Sequence, residues 1–201
     1  MKLSFIRHGL TEGNVRRLYY GSTDLPLLQE GIDELEKLRE KEVYPEAAHY
    51  YTSGLLRTRQ TLSALYGEVS YEELPGLQEL HFGPFEMKTY EELKDNALYQ
   101  EWISGDWERF VGPGGESYEI VDRRALEALQ PLIAADEDAV CISHGGVIGG
   151  LMAHWFPEQG RRYEFTPGNG RGFAVQFENG KPVSYEPIPY RHNEEAEGEN
   201  G

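Results

Sequence analysis

Thiols are almost absent from this chain. Cys141 is its single cysteine, which excludes an intramolecular disulfide framework and predicts a reducing, cytoplasmic setting. Cys141 lies inside an apolar run, where it reads as a small buried hydrophobe and not as a nucleophile. Positive charge is scarce: 19 Lys and Arg stand against 35 Asp and Glu, a formal net charge of -16. Such a field repels nucleic acid and anionic membrane surfaces, so neither is expected as a partner, and a small anionic substrate would need a local cluster of arginines. Long apolar stretches are missing as well. None approaches the roughly 20 residues of a membrane span, and the run Leu3-Ser4-Phe5-Ile6 is too short for a signal peptide. Repeats are absent, and residues 192–201 form an acidic tail with one alanine, predicted to fray and be disordered.

What remains suits one domain over residues 1–191, in which strand-like runs alternate with helical periodicity. Leu3 to Arg7 reads as a strand. Ile32, Leu35 and Leu38 predict an amphipathic helix over 30–41, and His49-Tyr50-Tyr51-Thr52 a second strand. A helix over 55–66 follows, with Leu55, Leu62 and Leu65 inward. Residues 76–115 break the pattern with Pro84, Pro113 and several glycines; short helical pieces at 90–98 and 101–104 make this an inserted helical lid. A long helix over 117–134, with Val121, Leu126, Leu129 and Ile133 available for burial, leads into the apolar run Ala139-Val140-Cys141-Ile142-Ser143. Asn179-Gly180, between apolar alternations, is a hairpin signal. The expected architecture is α/β: a three-layer α/β/α domain with a mainly parallel central sheet and antiparallel strands near the C-terminus.

Two apolar runs break off at the same pair, His8-Gly9 and His144-Gly145. Ligands of open α/β sheets bind beyond the carboxyl ends of the strands, so neighbouring parallel strands would bring both imidazoles into one crevice. Arg7, with a planar donor fork suited to phosphate, precedes the first histidine. A phosphate site is the first hypothesis.

The residues Arg7-His8-Gly9-Leu10-Thr11-Glu12-Gly13-Asn14 fit the pattern Arg-His-Gly-x-Thr-x-x-Asn, which resembles the signature of the histidine phosphatase superfamily, including the cofactor-dependent phosphoglycerate mutases. Four further segments are similar to family motifs and fall in family order: Ser53-Gly54-Leu55-Leu56-Arg57-Thr58-Arg59-Gln60-Thr61, Leu77-Gln78-Glu79-Leu80-His81-Phe82-Gly83, Gly114-Gly115-Glu116-Ser117 and Ser143-His144-Gly145-Gly146-Val147-Ile148. Phe82-Gly83-Pro84-Phe85-Glu86-Met87 is similar to α-ribazole phosphatases as well as to general family phosphatases. Leu10 departs from the acidic or polar residue often found there, and Gly54 from proline; neither position donates to phosphate.

The resemblance implies roles that the chemistry explains. A neutral imidazole at His8 can attack phosphorus without a separate base. Arg7, Arg57 and His144 would neutralise the phosphate oxygens, with Asn14 and the backbone amide of Gly145 as further donors. Glu79 would protonate the leaving alkoxide and then activate water. Tyr20 and Gly21 fall where family members place a substrate-contacting loop. No cofactor or metal is implied.

A lone histidine at a strand end is more often scaffolding, but the ordered set of motifs reverses those odds. Arg59 reads as a surface charge, and His81 beside Glu79 finds no second ligand at metal-binding spacing. His49, His154 and His192 carry no role; Tyr19, Trp102, Trp107 and Phe110 read as core or lid packing, with Trp107 and Tyr20 as the aromatics that could touch substrate. The insertion's cations, Lys88, Lys94 and Arg109, are diluted by acids, which favours hydrolysis over a mutase that must hold a second phosphate. The expectation is a metal-independent phosphomonoester hydrolase acting on a small phosphorylated metabolite through a phosphohistidine. A mutase and a non-catalytic phosphate-binding regulator are the alternatives.

Overall fold

The computed structural model describes residues 1–105, 108–109 and 114–191; Trp107, Phe110 and the acidic tail lie outside them. In chain order the elements are β1 (Lys2–Arg7), α1 (Glu12–Val15), α2 (Gln29–Lys41), β2 (Glu42–Val43), β3 (His49–Thr52), α3 (Leu56–Tyr66) and β4 (Glu72–Glu73). Then come α4 (Tyr90–Leu93), α5 (Ala97–Ser104), α6 (Tyr118–Ala135), β5 (Ala139–Ser143), α7 (Gly145–Trp155), β6 (Gly172–Glu178), β7 (Lys181–Ile188) and β8 (Tyr190–Arg191). The main sheet has the order β4-β3-β5-β1-β6-β7. Its first four strands are parallel, and β6 and β7 are antiparallel additions.

Side chains of β1 and β5 alternate between two cores, which is why both strands read as near-continuous apolar runs. Leu3, Phe5, Ala139 and Cys141 join the core under α6 and α7, whereas Ile6, Val140 and Ile142 join the core under α2 and α3. Burial pushes the Cys141 thiol up to about 12, in keeping with a purely apolar role. The hairpin turn forms as expected, with Asn179 and Gly180 at φ 51 and 73, the left-handed pair of a type I′ turn.

Two differences from the sequence reading have local causes. The helical piece expected over 90–98 is split, because Thr89 caps one short turn through Glu92 while the Asn96 side chain accepts from Tyr99 and starts α5 at Ala97. Helix α7 carries no helical signal, since Gly145, Gly146, Gly149 and Gly150 lower its propensity; burial of Val147, Ile148, Leu151 and Met152 holds it in place. The segment read as an inserted lid supplies Leu77, Leu80, Phe85, Leu93, Tyr99 and Trp102 to the larger core.

Candidate active site

Strands β1 and β5 are parallel neighbours with Arg7 opposite Ser143, so the chain leaves both strands at the same level. The histidines that follow come together with ring centroids 5.2 Å apart. His8 is tautomerically fixed: its Nδ1 lies 2.7 Å from the Gly9 carbonyl, an acceptor only, so Nδ1 carries the hydrogen and Nε2 keeps its lone pair. The backbone there is held in turn, as Gly9 donates to Thr61 Oγ1 and Asn169 donates to the His8 carbonyl. Burial, with the Arg57 and Arg7 cations nearby, holds His8 well below the usual imidazole range. The ring is thus neutral with a bare nitrogen.

His144 caps the start of α7 and is fully buried. Arg57 Nε donates to its Nδ1 at 3.4 Å, which leaves Nε2 as the donor to Ser53 Oγ at 2.8 Å. The chain of donors continues from Ser53 to Thr58 Oγ1 at 3.2 Å and from Thr58 to the Leu55 carbonyl at 2.7 Å. Burial, then the charge of Arg57, holds this imidazole also well below its ordinary value. Gly54 within the same segment has φ 86, a conformation open to glycine and closed to proline.

Cations surround the pair. Arg7 donates through Nη1 to the Pro167 carbonyl, while its Nε is buried without a hydrogen-bond partner among the described residues. Leaving such a donor unpaired costs about 1–3 kcal/mol, so the site is incomplete without an acceptor. Arg57, fully buried, grips the carbonyls of Gly21 at 2.7 Å and Thr23 at 2.9 Å and lies 5.1 Å over the Tyr20 ring. The Tyr20 hydroxyl is spent on Thr11 Oγ1, so its ring, edge-on to His8, is the part that lines the site. Asn14 accepts from Thr11 through Oδ1, and its amide nitrogen has no partner among the described residues. Gly145 opens α7 against the Arg7 guanidinium, where a Cβ would sit 3.3 Å from Arg7 Cζ.

Glu79 closes the other side. Its carboxylate accepts from its neighbour Leu80 and, at 3.0 Å, from the Gly146 amide in the first turn of α7. Only glycine fits at 146, because a Cβ would come within 2.6 Å of Glu79 Oε1. Gly21 packs so closely on the acid segment that a Cβ would lie 1.7 Å from the Leu80 carbonyl oxygen. Behind them Arg124 donates to the carbonyls of Gly76, Gln78 and Glu79 and to both oxygens of Glu116. The structure therefore gathers Arg7, His8, Asn14, Tyr20, Gly21, Arg57, Glu79, His144 and Gly145 around one crevice. Arg59 lies outside it, paired with Glu73 at the surface. His81 takes the Gly83 amide on Nδ1, and among the described residues no group of His, Cys, Asp or Glu is placed to hold a metal ion.

Sequence reasoning missed Ser53, Thr58, Arg124, Asn169 and Glu86 as site-building residues. Ser53 and Thr58 sat within a recognised motif; the others carried no spacing signal.

Residues 3–185 match the family profile described as histidine phosphatase superfamily, branch 1. The chain belongs to that superfamily. Among its relatives is the adenosylcobalamin/alpha-ribazole phosphatase of Salmonella typhimurium, 33% identical over 159 residues that cover 76% of this chain and 78% of the relative. The crystal structure of the alpha-ribazole phosphatase from Shigella flexneri has the same fold, with a TM-score of 0.82 at 24% identity over 96% of this chain and all of the other. That of a phosphoglycerate mutase from Thermus thermophilus gives 0.72 at 28% identity, covering 92% and 98% of the two chains. Phosphatases and mutases thus both stand among the relatives of this enzyme family member. No helix among its described residues is long and apolar enough to cross a membrane.

Proposed function

We propose that this protein is a metal-independent hydrolase of small phosphomonoesters that works through a phosphohistidine. The observation that carries the reading is the bare, neutral Nε2 of His8 in a ring near the cations of Arg57, which is buried, and of Arg7, whose Nε has no partner among the described residues. A nucleophile with a free lone pair faces donors that lack an acceptor, and a phosphate dianion supplies both an electrophile and oxygens.

In the first step Nε2 attacks phosphorus. The N–P bond forms, the P–O bond to the alcohol breaks, and the leaving oxygen takes the proton that Glu79, as the neutral acid, carries in the substrate complex. Arg7, Arg57, Asn14 and the Gly145 amide hold the equatorial oxygens, each charge-assisted bond being worth about 1.5–3 kcal/mol. His144 joins them once the arriving dianion draws a proton onto its Nδ1, the atom that now accepts from Arg57. In the second step Glu79 takes a proton from water, the water oxygen attacks phosphorus, and the N–P electrons return to His8. Charge neutralisation by side chains leaves no step that requires a metal. The likeness to a phosphoglycerate mutase supports the second reading, phosphoryl transfer between substrates, but that chemistry must retain a second anionic group.

The test is release of inorganic phosphate from p-nitrophenyl phosphate and from an alkyl phosphate in excess chelator, with acid-quenched protein examined for label. Turnover with label on His8 is expected. Loss of activity in chelator, or turnover without label, would overturn the reading.

A further inference from the structure

Beside the phosphate clamp, the loop at 21–23 turns its backbone amides onto one internal carboxylate. Glu86 accepts from the amides of Gly21 at 3.0 and 3.2 Å, Ser22 at 3.1 Å and Thr23 at 3.3 Å. It also accepts from the hydroxyls of Ser22 at 3.2 Å and Thr23 at 2.6 Å and from the amide of Phe82 at 3.1 Å. Successive amides arranged this way form a nest that recognises an anion, and here the protein fills it with its own. Burial alone would raise this carboxyl, yet the hydrogen bonds from Thr23, Phe82, Ser22 and Gly21 together hold it below the usual carboxylate range.

Ser22 of the nest also lines the cavity beside Glu79, the space the proposed reaction assigns to the leaving group. Glu79, the proposed proton donor, lines a cavity of about 370 Å³ whose wall also includes Ser22, Gln78, His81, Glu116 and Arg124. Among the described residues, the two arginines closest to that cavity are already committed to other partners. Arg124 has five N–H donors and makes five bonds, two of them to Glu116. Arg57 spends two donors on Gly21 and Thr23; its Nε, on His144 until that ring gains a proton, and its two other hydrogens are needed by the phosphate. With the charge of Arg124 offset by Glu116, the Glu86 carboxylate leaves the remaining field negative.

We propose that Glu86 determines specificity: by filling the amide nest at 21–23, it restricts the substrate to phosphomonoesters of uncharged alcohols. The proposal deepens the hydrolase reading and rests on it for the direction of the leaving group. A carboxylate or second phosphate on the alcohol would meet occupied amides, spent arginines and a like charge, a repulsive device as well as a missing attraction.

The experiment compares glycerol 3-phosphate with 3-phosphoglycerate, which differ by a hydroxymethyl group against a carboxylate. In the wild type kcat/KM is expected to favour the uncharged leaving group by about tenfold or more, the scale of one charge-assisted contact. Glu86→Ala opens the nest and should bring that preference below about threefold, through KM for 3-phosphoglycerate. Equal losses on both substrates would reduce Glu86 to loop scaffolding and overturn the proposal, as would a wild type without preference. Should Glu86→Ala fail to fold, Glu86→Gln removes the charge at constant volume and should still reduce the preference; an unchanged ratio has the same adverse meaning. Dissociation constants of the two ligands, measured by calorimetry, read the discrimination without turnover. A preference in binding with no hydrolysis of any phosphomonoester would sink the hydrolase reading and leave the nest's role standing.

Discussion

The ends of β1 and β5 carry the same His-Gly pair on neighbouring parallel strands, yet they hold their rings in opposite senses. His8 gives its Nδ1 hydrogen to the Gly9 carbonyl one residue away and leaves Nε2 bare. His144 gives its Nε2 hydrogen to Ser53, from another strand end, and accepts from Arg57 on Nδ1. The first arrangement is local and leaves the lone pair that the proposed reaction uses as its nucleophile. The second is tertiary and yields a ring whose phosphate-facing nitrogen must gain a proton before it can donate. Identical sequence and identical placement at a strand end thus produce different chemistry, because a ring's role is set by the partner of its other nitrogen.

The sharpest way to break this contrast is to remove each ring in turn. His8→Ala should lower turnover by at least about 10⁴-fold and abolish covalent label, since the reaction loses its path. His144→Ala should cost about 10²–10³-fold, as for loss of one preorganised donor, and retain label. Equal losses and equal labelling would mean that the two histidines are interchangeable.

Arg57 links both halves, and Arg57→Lys is expected to lower kcat/KM by about 10²-fold. An ammonium cannot grip Gly21, Thr23, His144 and a phosphate at once, because it lacks the planar fork. Near-wild-type kinetics would show that the guanidinium serves the loop alone.

Ser53→Ala tests whether the tautomer of His144 matters. A loss of about tenfold in kcat, with KM little changed and rescue by Ser53→Thr, is the expected pattern for a positioning hydroxyl. A uniform loss accompanied by a lower Tm, without rescue, would assign Ser53 to packing.

The smallest effect is on stability. Both rings are held by burial below their unfolded value near ~6.5, so below that pH the unfolded chain binds more protons than the folded one. The stability is fully present above about pH 6.5 and declines as pH falls, by up to about 1.4 kcal/mol per unit for each ring. Thermal denaturation between about pH 7 and 5.5 should show Tm falling, and inorganic phosphate should blunt the fall by making a cationic His144 favourable. A flat profile would mean that the rings take up protons in the fold as readily as in the unfolded chain.

Much of this was legible in the chain. Apolar runs ending at His8 and His144 predicted buried strands and their crevice, since a strand covered on both faces has no polar alternation to hide it. The same logic placed α2, α3 and the hairpin at Asn179. Helix α7 was not legible because its glycines, read one at a time, argue against a helix. Their use appears only when Glu79 lies against Gly146, and Arg162 and Asp122 against Gly150. Glu86 counted in the sequence as one of the acids diluting the cations of its segment and as part of the run Phe82 to Met87, with nothing to mark it as a site residue. Its partners in the loop lie 63 to 65 residues earlier, a separation no local pattern encodes.

What the sequence alone determined was the inventory: an α/β chain, two histidines at strand ends, arginines in ordered motifs and an acid in a third segment. Periodicity and residue type are local properties, and they are sufficient for that. Tertiary structure decided the state of each group. It took the packing of the Gly9 carbonyl on one ring and Ser53 on the other to assign tautomers, and the approach of Glu86 to the loop at 21–23 to turn an anion-binding nest away from substrate. Hydrogen-bond partners and burial, not residue identity, set where protons and charge reside, and both exist only once distant segments meet.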